Sequence, residues 1–147
     1  MAFEDLLNEC GLMRKETLMS RPAIDVWVID DNEALLTALS EYVDSVPGFQ
    51  CKNRYFSAKK ALDALKHSAE PPALFLVDIQ MPDMNGLDAI VPFKQAAPKS
   101  MVFMITGMDS EAYRRVALAR GADGFIAKFD LTKKKLEEML HCASMNG

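Results

Sequence analysis

Three carboxylates, a hydroxyl and an ammonium group each stand at the end of an apolar run in this chain. Asp30 and Asp31 follow residues 24–29 (IDVWVI), and Asp78 follows residues 73–77 (ALFLV). Thr106 follows residues 101–105 (MVFMI), and Lys128 closes a short run that begins at Phe125. Three carboxylates in a small volume repel one another, and gathering them is costly unless a cation sits among them. Oxygen donors without His or Cys suit Mg²⁺ or Mn²⁺ better than Zn²⁺. An ion so held can bridge phosphoryl oxygens and neutralise the charge that develops in phosphoryl transfer. Lys128 offers a compact positive charge for a phosphoryl oxygen or for Asp78 itself, and the Thr106 hydroxyl can donate to the same oxygen. A carboxylate nucleophile in that company is equipped to form an aspartyl phosphate.

Each residue alone has an ordinary explanation. Asp30-Asp31 could be a strand-end turn and helix cap, Asp78 the start of a solvated loop, Lys128 a surface lysine and Thr106 a β-branched strand end. Their joint occurrence at the ends of four strands is what favours the chemical reading.

The elements that must position them follow from the hydrophobic pattern. Residues 24–29 predict a buried strand. Asn32 caps a helix whose apolar face is Ala34, Leu35, Ala38, Leu39, Tyr42 and Val43. Pro47-Gly48 breaks it, and residues 49–56 predict a more polar strand near an edge. Ser57 caps a helix carrying Ala61, Leu62, Ala64 and Leu65, stopped by Pro71-Pro72. Residues 73–77 form the third strand, residues 81–86 a turn-rich loop, and a helix begins at about Leu87. Pro92 falls within that helix's first turns, where proline is tolerated. Residues 101–105 form the fourth strand, and a helix over about 109–120 stops at Gly121. A short strand over 125–128 and a helix over about 132–142 complete the chain. The order βαβαβαβαβα predicts a doubly wound α/β fold, a five-stranded parallel sheet with helices on both faces. Right-handed crossovers favour the flavodoxin-like strand order 2-1-3-4-5. Ligands then bind beyond the carboxyl ends of the strands, the rim where the polar set collects.

Composition narrows the classes. The 147 residues fit one domain, half of them hydrophobic and about a quarter charged. A net charge of −4 gives no basic footprint for nucleic acid. The basic run Lys133 to Lys135 opens a Glu-rich helix and reads as a solvated face. No apolar run approaches the roughly 20 residues that span a bilayer, and Glu4 and Asp5 stand where an export signal wants basic residues. Cys10, Cys51 and Cys142 lack metal-ligand spacing and fit a reducing cytoplasm.

The sequence resembles the receiver domains of two-component response regulators. The resemblance is carried by Val28-Ile29-Asp30-Asp31-Asn32, the run from Leu76 through Asp78 to Leu87 (LVDIQMPDMNGL), Ile105-Thr106-Gly107, and the run from Gly121 to Lys128 (GADGFIAK). It covers about residues 23–143, with residues 1–22 as an N-terminal extension and 23–147 as the domain. It implies that Asp78 is phosphorylated by a histidine kinase or histidine phosphotransfer protein. It further implies that Asp31, Asp78 and the Gln80 backbone carbonyl bind Mg²⁺, with Asp30 acting through a metal-bound water. Thr106 and Lys128 would hold the phosphoryl group. Phe125 matches an aromatic switch position whose ring turns inward when Thr106 moves toward the phosphate; the alternative is a plain core aromatic, since Phe, unlike Tyr, has no hydroxyl to expose. Dimerisation on phosphorylation is implied by the family and not visible in the residues.

Two departures stand out. Many receivers have a cis proline directly after the lysine; here Phe129-Asp130 follows Lys128. A cis bond before a non-proline costs about 2.5–4 kcal/mol, so the joint after strand five is expected to be built differently. That feature resembles receivers fused to LuxR-type helix-turn-helix domains. The sequence stops at Gly147, which suits a single-domain receiver or a receiver cut from a longer DNA-binding regulator. The extension places Phe3, Leu6, Leu7 and Cys10 on one helical face, but Met19 would itself open an ordinary receiver, and a leader is the plainer reading. An aspartate-nucleophile phosphohydrolase of the haloacid dehalogenase type would place an acid/base Asp two residues after the nucleophile. That position is Gln80, which cannot transfer a proton in that way. A degenerate receiver that only scaffolds is disfavoured, because all five polar residues are present.

Overall fold

Five short β-rich runs, each followed by a helical segment, can bury both faces only as a parallel sheet covered on two sides. The computed structural model, which describes residues 23–67, 70–81, 84–107 and 110–146, has that architecture. The strands are β1 (Ile24–Ile29), β2 (Phe49–Tyr55), β3 (Leu74–Asp78), β4 (Met101–Thr106) and β5 (Gly124–Ala127). The helices are α1 (Glu33–Ser45), α2 (Ala58–His67), α3 (Gly86–Ala96), α4 (Glu111–Ala119) and α5 (Lys133–Asn146). The sheet order is β2-β1-β3-β4-β5, with every pairing parallel. The N-terminal extension, with its apolar face and Cys10, lies outside the described residues.

Alternation along the central strands splits the core in two. Trp27, Ile29, Phe75, Val77, Val102 and Met104 face one side and pack against Ala61, Ile90, Phe93 and Ala117. Val26, Val28, Leu74, Leu76, Phe103 and Ile105 face the other, against Leu36, Leu39, Val43, Leu136 and Leu140. Helices α2, α3 and α4 therefore cover one face and α1 and α5 the other. β2 is an edge strand whose burial alternates, as its polar sequence predicts.

Caps fall where the sequence places them. The Asn32 side chain accepts from Leu35 N at 3.1 Å, and Ser57 Oγ from Lys60 N at 3.1 Å. Gly121 stops α4 at φ 103°, a backbone state that favours glycine. Lys133, Lys134 and Lys135 are exposed, as expected of a solvated face.

Four expectations need correction. The buried face of α1 is Leu36, Leu39, Ser40 and Val43, while Ala34 and Tyr42 are exposed. Ser40 can be buried because its hydroxyl donates to Leu36 O at 2.6 Å. Pro92 is the seventh residue of α3, past the first turn, so its ring removes a donor from the helix interior. β5 ends at Ala127, and Lys128 opens a 3₁₀ turn over Lys128–Asp130, closed by Leu131 N to Lys128 O at 3.2 Å. No cis peptide occurs among the described residues, so this turn is the different joint that Phe129 predicts. α5 runs to Asn146, past Cys142, with Thr132 Oγ1 accepting from Lys135 N at 3.1 Å.

Candidate functional site

Parallel strands all deliver their C-termini to the same rim, so topology alone assembles the polar set. β1 ends before Asp30, whose N–H donates to Tyr55 O at 3.1 Å and so stays tied to β2. β3 ends on Asp78, in register with Ile105 of β4. Thr106 closes β4 in register with Ala127, and the next residue on that side is Lys128. Asp30, Asp78 and Thr106 are almost wholly buried, whereas Asp31 is exposed.

One carboxylate oxygen from each of Asp30, Asp31 and Asp78 lies within 4.8 Å of the others. Lys128 Nζ stands 3.3 Å from Asp30 Oδ2 and 3.5 Å from Asp78 Oδ1, partly neutralising both. Asp30 Oδ1 accepts from Asn32 N at 2.8 Å, and Asp78 Oδ1 from Gln80 N at 3.4 Å. Asp30 Oδ2 is buried and has no hydrogen bond, its nearest cation being Lys128. Burial first, and then the Asp30 charge, push the Asp78 carboxyl up to about 6, against smaller opposing effects of Lys128 and the Gln80 N–H. The cluster is therefore short of positive charge. An all-oxygen donor set with a buried oxygen lacking a hydrogen bond fits a hard divalent cation with its waters.

Gly86 is a residue whose part the sequence does not reveal. A Cβ there would collide with the Asp78 carbonyl oxygen and lie 2.8 Å from Ile79 Cα and 2.9 Å from Met104 Cε. Gly86 N also donates to Ile79 O at 2.7 Å. α3 can thus start hard against the loop that leaves Asp78, with Asn85 Oδ1 capping it through Leu87 N at 2.8 Å. The signal was available in the turn-rich loop, but only the tertiary approach says why it must be glycine. Phe125 is 8% exposed and turned into the core, with the Arg114 guanidinium 5.0 Å from its ring centroid.

This fold, with an acidic cluster and a lysine at the strand ends, defines the class of response-regulator receivers. The family model for the response regulator receiver domain matches residues 26–141, and the chain belongs to that family. The transcriptional regulatory protein DcuR of Escherichia coli K12 is 32% identical over 105 residues, which are 71% of this chain and 44% of DcuR. The response regulator protein VraR of Staphylococcus aureus NCTC 8325 is 34% identical over 107 residues, 71% of this chain and 49% of VraR. This chain thus matches about half the length of each. The signal receiver domain of the response regulator NarL from Mycobacterium tuberculosis superposes with a TM-score of 0.75 at 24% identity. That match covers 84% of this chain and 98% of the NarL domain.

Proposed function

We propose that Asp78 accepts a phosphoryl group in a Mg²⁺-dependent reaction, and that this modification switches a protein-binding surface. The observation that carries the reading is the buried Asp30–Asp78 pair bridged by Lys128, with Asp31 beside it at the exposed edge. The arrangement supports a reading in which Asp78 attacks, Asp31 and Asp78 hold an ion, and Asp30 acts through a water on it.

In the reaction, an Asp78 oxygen attacks phosphorus. The bond from phosphorus to the donor's histidine nitrogen breaks, and that nitrogen keeps the electron pair. The donor is a histidine kinase or a histidine phosphotransfer protein. Asp31, Asp78 and the Gln80 carbonyl would hold Mg²⁺, or Mn²⁺, with Asp30 Oδ2 accepting from a metal-bound water. The ion supplies charge neutralisation on the phosphoryl oxygens. Lys128, already within reach of Asp78, pairs with one phosphoryl oxygen, and Thr106 donates its hydroxyl to another. Movement of Thr106 is read out by Phe125, so that the surface of α4, β5 and α5 changes shape.

The module so described is a cytoplasmic regulator comprising residues 23–147 behind an extension of 22 residues, acting as a switch and not as an enzyme on other substrates. Gln80 argues against a hydrolase, since its amide cannot serve as general acid or base. A second reading, a receiver within a longer DNA-binding regulator, is favoured by the partial match to DcuR, a transcriptional regulatory protein. Translating the native gene past Gly147 separates the two.

The test is tryptophan fluorescence or NMR on addition of beryllofluoride with and without Mg²⁺. A response that requires Mg²⁺ and disappears in Asp78→Asn is expected. A response that survives Asp78→Asn, or no response with Mg²⁺, would sink the reading.

A further inference from the structure

Phe125 packs into the cluster that contains Met104, Ala117 and Ala122. Carbon alone does not cover its ring: the Arg114 guanidinium on α4 stands 5.0 Å from the centroid, within cation–π range. A phenyl ring has no hydroxyl, so no hydrogen bond can anchor it in either position. Its faces and edges are all that can hold it. Among the described residues no carboxylate pairs with Arg114 within 4.0 Å. Beside the pair, an open cleft of about 340 Å³ is lined by Arg114, Phe125, Lys135, Glu138 and Met139, among others. An outward ring has space to enter there.

We propose that Arg114 is a positioning residue that holds Phe125 inward, so that α4 as well as Thr106 sets the balance of the ring. The inference rests on the reading of Phe125 as the switch aromatic. A phosphoryl analogue that needs the inward ring binds with an apparent affinity scaled by the fraction of molecules already inward. Removing the guanidinium lowers that fraction, and the site loses affinity although Arg114 does not touch it.

The experiment is titration of the full chain with beryllofluoride in Mg²⁺, together with NMR of the Phe125 ring. Arg114→Ala is expected to weaken beryllofluoride binding by at most about 2- to 5-fold, the strength of a partly exposed cation–π contact, and to shift the ring resonances. Arg114→Gln keeps the methylenes packed and should behave alike if Arg114→Ala folds poorly, while Arg114→Lys restores part of the affinity. Arg115→Ala removes the same charge from an exposed position on the same helix and should change neither readout. In a Phe125→Leu background the Arg114 substitution should have no effect on affinity, because the pair is already broken. Wild-type affinity and ring resonances in both Arg114→Ala and Arg114→Gln would overturn the inference, as would an equal loss in the Phe125→Leu background. A wild-type chain that ignores Mg²⁺ and beryllofluoride would overturn the Asp78 reading and this inference together.

Discussion

Asp78 occupies a place where a negative charge is poorly tolerated. It is buried, it faces Asp30, and its carboxyl is held up at about 6 against an ordinary value of 3.8. Such a group opposes folding when ionised. Between pH 4 and pH 6 the folded chain binds more protons at this site than the unfolded chain does, so stability falls as pH rises through that window. In chelator, thermal melts should show this fall in the wild type and lack most of it in Asp78→Asn. At neutral pH Asp78→Asn should stabilise the metal-free protein by at most about 3 kcal/mol, since the rise from 3.8 to about 6, at 1.36 kcal/mol per pH unit, already counts the attraction of Lys128. A destabilised variant would contradict the electrostatic account. Lys128→Ala works in the opposite sense: with the ammonium gone from both carboxylates, the Asp78 titration followed by NMR should move to higher pH. The strand-end residues were legible in the sequence because a charge directly after a doubly buried apolar run has only the rim to occupy. The pairing of Lys128 with Asp78 was legible as well, but its second pairing, with Asp30, was not, since it depends on side-chain reach across β3 and β4.

Element ends do most of the positioning. Gly86 lets α3 begin against the Asp78 carbonyl, and Gly86→Ala cannot fit without moving that backbone. The expected cost is about 1–3 kcal/mol, the range for forcing a group into a packed site. Weaker Mg²⁺ binding should accompany it, since Asp78 and Gln80 lie on the displaced loop. Denaturant unfolding with a parallel Mg²⁺ titration checks both, and wild-type values in each would show that the loop yields freely. The strands were readable because β1, β3 and β4 are apolar on both faces. The face of α1 was misread by about one position. Tyr42 looks apolar but stays at the surface, and Ser40 looks polar but satisfies its hydroxyl on Leu36 O. The start of α3 was read to within one residue, but Pro92 is its seventh residue, beyond the first turn where a proline costs no hydrogen bond.

For the molecule as a whole, the parallel order β2-β1-β3-β4-β5 brings residues nearly a hundred positions apart to one rim, beside the proposed readout surface of α4, β5 and α5. Strand order followed from the alternation of elements and the handedness of crossovers. The contact of Arg114 with Phe125 did not, because nothing in a local pattern says which ring an arginine will cover. A ligand that binds only the folded site must raise its stability: at a hundredfold excess over Kd, Mg²⁺ with beryllofluoride should add about 2.7 kcal/mol, visible as a higher Tm in the wild type and not in Asp78→Asn. The most direct measurement is covalent. Incubated with Mg²⁺ and acetyl phosphate, the chain should gain a single phosphoryl group that peptide mapping places on Asp78, with no gain in chelator. An adduct on another residue, or the same adduct in Asp78→Asn, would contradict the account.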